Sequence, residues 1–367
     1  MELHEKIFVD SEFLDTTHGE IGCAQCHGGD NTLADWRKAH RGVHRDPSAS
    51  RLAEACGECH EDEAKTSHDS LHFSLRPFFN KVMARTDPTD STTIHGVMAG
   101  FTNHCTQCHA SCGQCHISRP DALGGGFLEA HLFQKKPPQS QTCTACHGSR
   151  LQKEYEGKNE GIPADVHKKK KWMKCSKCHT GDEMHAATEH GRDRHDASHA
   201  ASCLDCHEDV VSPDNAVEMH QVHGRNLQCQ VCHSLPYKNC AGCHVGKDKH
   251  GLTYFKLDKT WMAFKIGKNT RISPRRPYRF AVVRHVPVSP ELFDYYVKNG
   301  LTNFDAAPTW KLAAPHTIQR NTPQAASCDA CHGHPELFLR SEDVDPELRK
   351  ANKKVILSDD EVPARQE

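Results

Sequence analysis

The chain has 367 residues, a formal net charge of −2 and only 36% hydrophobic residues, yet it holds 20 cysteines and 30 histidines. The near-zero charge gives no bulk field for nucleic acid or an anionic membrane surface, and no run of 18 apolar residues spans a bilayer. The aliphatic inventory is low for this length, so something besides aliphatic side chains is expected to fill the interior.

The opening MELHEKIFVDSEFLD lacks a basic-then-apolar leader pattern. One five-residue word, Cys-x-x-Cys-His, then recurs along the chain. It stands at Cys23/Cys26/His27, Cys56/Cys59/His60, Cys105/Cys108/His109, Cys112/Cys115/His116 and Cys143/Cys146/His147. It returns at Cys175/Cys178/His179, Cys203/Cys206/His207, Cys229/Cys232/His233, Cys240/Cys243/His244 and Cys328/Cys331/His332. Ten copies use all 20 cysteines, leaving none for a disulfide or a nucleophile. Cysteines three positions apart can each form a thioether with one vinyl group of a haem, and the adjacent histidine reaches the iron. Five Cys₄ zinc sites are the alternative, but zinc does not call for a histidine after every pair. The words therefore predict ten covalently bound haem c groups. Such attachment takes place outside the cytoplasm, so the chain is expected in the periplasm or at the cell surface, with its numbering starting after a removed leader or inside a longer precursor.

Between His109 and Cys112 lie two residues, so haems held there must lie edge to edge or face to face. Ten haems in 367 residues predict short pieces that cannot fold alone. The expected fold class is mainly α with extensive irregular loops, a haem-scaffolded core and little β. Motif spacing divides the chain into a two-haem segment over 1–90, a dense seven-haem segment over 91–250, a haem-free aromatic and basic segment over 251–327, and a one-haem segment with a helix over 328–367.

A second iron ligand must come from elsewhere. Seven methionines are too few for ten irons, whereas twenty histidines remain outside the words, so bis-histidine ligation is expected. The candidates are His18, His40, His72, His131, His167, His185, His220, His223, His285 and His316, with His44 and His68 as alternatives to His40 and His72. SPDNAVEMHQVHG reads as a helix capped by Ser212, begun by Pro213 and stopped by Gly224, with His220 and His223 on one face. In the cysteine-free stretch RFAVVRHVPV reads as a strand, and SPELFDYYVKNG as a helix from Ser289 to Gly300. The stretch reads as a packing segment that covers haems and contributes His285 and His316, with a substrate site of Arg275, Arg276, Tyr278 and Arg284 as the alternative, and HKKKKWMK reads as a solvated face, with docking of an anionic partner as the alternative.

The combination of CTQCHASCGQCHISRP, CTACHGSR, CQVCHSLPYKNCAGCH and RHVP resembles multihaem c-type cytochromes of anaerobically respiring bacteria and archaea. It is loosely similar to the octahaem tetrathionate reductase and hydroxylamine oxidoreductase group. The resemblance implies respiratory or extracellular electron transfer with redox-protein partners, either other cytochromes or a membrane quinol-oxidising complex. Reductases of that kind use an open or lysine-ligated haem, but every word here ends in histidine. This favours an electron carrier over an enzyme. A reductase of small nitrogen or sulfur oxyanions and a subunit of a filament-forming cytochrome are the alternatives.

Overall fold

The computed structural model describes residues 9–106, 110–186, 193–195 and 199–365. The chain forms two compact units, each assembled from separated stretches: Met1–Pro77, Thr106–Gly148 and Cys175–His199 in the first, Phe78–Cys105, Ser149–Lys174 and Ala200–Glu367 in the second.

The first unit is built of short helices with capped ends. Asp10 and Thr16 accept backbone N–H groups at the starts of the Ser11–Leu14 and Thr17–Ile21 helices. Gly28, at φ 76°, ends the Cys23–His27 helix. A Cβ there would lie 2.9 Å from the Gly42 carbonyl oxygen, so the residue allows both the left-handed turn and the close return of the chain. Phe13 and Leu52 are the buried apolar side chains among this unit's described residues.

The second unit has a side-chain core. Its Ser91–His104 helix begins at Asp90, whose carboxylate accepts from Thr92 and Thr93 N–H at 3.0 and 3.1 Å. Val97, Phe101 and His104 lie on its buried face at helical spacing, packed with Val82, Val245, Phe293 and Leu301. Gly100 brings this helix onto Phe293, whose ring carbon would sit 2.4 Å from an added Cβ.

Among the described residues seven short strands run β1 Tyr237–Lys238, β2 Cys243–Lys247, β3 Thr253–Leu257, β4 Met262–Ala263, β5 Lys265–Lys268, β6 Phe280–His285 and β7 Trp310–Leu312. They form three antiparallel sheets, β1 with β4, β2 with β3, and β5-β6-β7. In β6 the side chains alternate. Ala281 and Val283 join Trp310, Leu312, Leu339, Val344, Leu348 and Val355. Val282 faces the other way, onto Val231, Tyr237, Ile266, Ala313, Phe338 and Leu357.

These observations correct the expected fold class. The structure is 41% helical and 10% strand, so it is mixed rather than mainly α with little β. Its clearest core consists of side chains around three small sheets and not of a haem scaffold. The low hydrophobic fraction misled because the apolar residues are concentrated in the second unit. The β-branched run in the cysteine-free stretch does form a strand, β6. The helix expected from Ser212 begins only at Glu218 and ends at His223. Ser212 and Asn215 spend their side chains on turns, accepting from Asp214 N at 3.3 Å and Val217 N at 2.9 Å. Ser289 does cap, but the element is a single 3₁₀ turn, Pro290–Phe293. Asp294 then accepts from Asn299 N at 2.8 Å and closes a turn in place of further helix.

Two buried amides lock the sheet. Gln228 accepts from Val282 N at 2.8 Å and donates to the Ala313 carbonyl at 3.0 Å. Asn352 accepts from Trp310 N at 2.9 Å and donates to the Leu348 carbonyl at 2.9 Å and the Thr309 hydroxyl at 3.1 Å. Asn352→Leu would leave a buried N–H and a buried carbonyl unpaired. It should lower stability by about 1–3 kcal/mol, read as a lower urea midpoint with unchanged slope; an unchanged midpoint would show that the amide is not a clamp.

Candidate metal centres

Most of the Cys-x-x-Cys-His words are wound into one turn. The words at Cys23, Cys143 and Cys229 are helical throughout. At Cys56, Cys112, Cys175, Cys203 and Cys328 the histidine N–H closes onto the first cysteine's carbonyl at 2.9–3.0 Å. The second cysteine of a word is set by the same turn. Cys59, Cys178 and Cys206 donate their N–H groups to the Cys56, Cys175 and Cys203 carbonyls at 3.2, 3.2 and 3.3 Å. These three second cysteines are exposed, whereas Cys146, inside the Cys143–His147 helix, is half-buried. One turn brings the two sulfurs to the same side and places the histidine beside them. The word at Cys240 differs, since Cys243 and His244 open strand β2. No disulfide joins the described cysteines. Cys108 and His109 lie outside the described residues.

Among the described residues, seven word histidines face a second histidine. In the first unit His60 faces His18 at 6.2 Å between ring centres, His27 faces His131 at 5.9 Å, His147 faces His72 at 6.3 Å and His116 faces His185 at 6.1 Å. In the second unit His207 faces His167 at 6.1 Å, His233 faces His220 at 6.0 Å and His332 faces His223 at 6.1 Å. The narrow spread has a simple physical reading. A ligating imidazole nitrogen lies about 2 Å from its metal and the ring centre about 1 Å further back, so two imidazoles on opposite sides of one ion stand about 6 Å apart. Direct ring stacking is closer, as His18 and Phe133 illustrate at 3.9 Å and 10°.

Several of these rings are aimed by their Nδ1 atoms. His27 donates to the His44 carbonyl at 2.7 Å, His116 to the Gln134 carbonyl at 2.7 Å and His233 to the Gln319 carbonyl at 3.2 Å. His167 Nδ1 bonds Asp165 at 2.9 Å, and His179 Nδ1 bonds Glu183 at 2.8 Å. Such partners hold the ring and leave Nε2 as the ligating atom. Burial lowers the pKa of His18, His131, His220 and His223, and the facing imidazole lowers each further. At His116 burial dominates over the bond to Gln134, with His185 adding to it, and at His72 burial dominates. These rings are thus held neutral, the form that binds a metal. The bond to Asp165 raises His167, and the bond to Glu183 raises His179.

The other three sequence candidates stand elsewhere. His40 is exposed, with Nδ1 on the Trp36 carbonyl at 2.7 Å. His285 lies between Trp261 and Trp310, at 5.9 and 5.2 Å. His316 Nδ1 bonds the Ala314 carbonyl at 2.9 Å, with its ring edge-on to Tyr155. No described histidine faces His244. The aiming groups Asp165 and Glu183 were missed in the sequence, although Glu183 follows His179 by four positions, a helical pairing distance. The suggested arginine site does not assemble as such. Arg275 is engaged with Asp205 through two bonds of 2.8 and 2.7 Å, Tyr278 packs on the core, and Arg284 lies on the Cys240 sulfur.

Among the described residues no cluster of three or more His, Cys, Asp or Glu side chains could enclose a metal ion. Each facing pair could supply two imidazole nitrogens to one ion, beside the paired sulfurs of its word. That donor set, beside paired sulfurs, would fit a haem at those seven words. No protein-family model, curated protein or solved structure matches the chain.

Proposed function

We propose that the chain is a multihaem c-type cytochrome that carries electrons in anaerobic or extracellular respiration. The observation that carries this reading is the set of seven facing pairs, each joining one word histidine to one histidine outside the words at 5.9–6.3 Å. When bound, haem would supply a one-electron couple, and two imidazoles favour a low potential over the methionine alternative. The chain's part is to orient the imidazoles and, by burial, to favour the neutral ring at His18, His72, His116, His131, His220 and His223. The cysteines would fix the edge of each group: Cys59, Cys146, Cys178 and Cys206 as the second attachment points of words whose turn is formed, and Cys105, Cys108, Cys240 and Cys243 on the motif alone. Thioether attachment outside the cytoplasm makes the periplasm or cell surface the proposed location, and soluble or membrane-bound redox proteins the proposed partners. No described helix is long and apolar enough to cross a membrane.

One observation favours a second reading at a single word. His244 faces no described histidine, and Arg284 rests on the Cys240 sulfur with one buried guanidinium nitrogen unpartnered. An iron held there with an open side and a nearby cation would suit reduction of a small nitrogen or sulfur oxyanion. A high-spin signal that shifts on adding nitrite or sulfite supports this reading, and an entirely low-spin spectrum removes it.

Denaturing intact-mass measurement of the mature protein should show ten added haem masses, and no covalent addition would refute the cytochrome reading. His223→Ala should convert one low-spin iron to high-spin, whereas His40→Ala should leave the spectrum unchanged. Asp165→Asn removes the carboxylate that makes His167 a stronger donor. One midpoint potential should then rise by on the order of tens of millivolts in a spectroelectrochemical titration. A fall, or no change, would mean that Asp165 does not act on a ligand.

A further inference from the structure

Within each unit, neighbouring words follow one another in chain order. In the first unit the Cys23–His27 helix packs against the Leu52–Cys56 helix, and Cys56 lies within electrostatic reach of both Cys26 and Cys112. The Pro47–Ser50 helix before it is tied to the next word, because Ser48 accepts from Gly113 N at 2.7 Å and Asp46 accepts from Ser111 at 2.5 Å. Cys115 neighbours Cys143. The Cys143 and Cys175 side chains lie close together. Gln139 holds both of their segments, accepting from Thr144 N at 2.9 Å and from Cys175 N at 2.8 Å. The Gly181–His185 helix adds a second brace: its Glu183 aims His179, and its His185 faces His116.

The second unit repeats the principle. The Cys203 and Cys229 side chains lie close together, both beside Tyr278. Cys331 neighbours Cys232 and packs on the cluster that contains Val231, the middle residue of the Cys229 word. The Glu218–His223 helix serves both words at once, with His220 facing His233 and His223 facing His332. Residues three apart on a helix are surface neighbours about 5–6 Å apart, so the two facing pairs are held close together.

Resting on the cytochrome reading, we propose that haems stand in two rows, in the order Cys23, Cys56, Cys112, Cys143, Cys175 within the first unit and Cys203, Cys229, Cys328 within the second. All four end words carry an exposed cysteine, as does the Cys56 word through Cys59, whereas the words at Cys112, Cys143 and Cys229 carry none. The row ends, and the Cys56 word beside one of them, are thus where a redox partner can approach a haem edge.

Anomalous scattering at the iron edge from crystals of the haem-loaded protein tests the order. Within each row, iron separations should grow with every added step. In particular the Cys229 iron should be closer to the Cys203 and Cys328 irons than those two are to each other. A Cys203–Cys328 separation shorter than either, or a Cys23 iron nearer to the Cys143 iron than to the Cys56 iron, would overturn the rows while leaving the cytochrome reading intact. Absence of covalent haem in the mass spectrum would instead remove the reading on which the rows rest.

Discussion

The molecule is organised by a distance. Two imidazoles meet at about 6 Å between ring centres, too far for stacking and right for one shared ion. The same distance recurs for seven pairs drawn from unrelated stretches of the chain. Two side chains that merely touched in a core would show no such constancy. The supporting contacts serve this spacing: carbonyls and carboxylates hold Nδ1, and in six of the seven pairs burial disfavours the protonated form of one ring.

The two units meet the requirement differently. The second fixes its pairs against a conventional core. Val231 sits in the middle of the Cys229 word and is 2% exposed, embedded in the cluster beneath β6. Burying it anchors the word, and so His233, to the sheet. The first unit has few such anchors. There the word at Cys112 is held by Asp46, Ser48 and Ser111, and His27 by backbone bonds through the Gly28 turn. Polar bonds of this kind give direction but little net energy each, about 1 kcal/mol.

How much of this was legible in the sequence differs by level. The ten words and the surplus of histidines are plain in the text, and seven of the histidines singled out there stand opposite a word histidine. Which word each would face was not legible, because that depends on how separated stretches fold back together. Local chemistry also outvoted pattern. Ser212 and Asn215 look like a helix start but close turns on their own backbone, so the helix bearing His220 and His223 is only six residues long. The apolar core was underestimated because composition averages over the chain, while burial is concentrated around Ala281, Val282 and Val283.

The direction of each pair along the chain bears on how the protein is made. His18, His72, His167, His220 and His223 all precede the word histidine that they face, and only His131 and His185 follow theirs. Chains are synthesised N-terminus first. For five of the seven pairs, then, the outer histidine has already emerged when its word does, and the pair can meet as soon as the word is made. His27 and His116 must wait for His131 and His185. Pairing is therefore expected to finish at the Cys328 word, whose waiting partner, His223, is laid down long before.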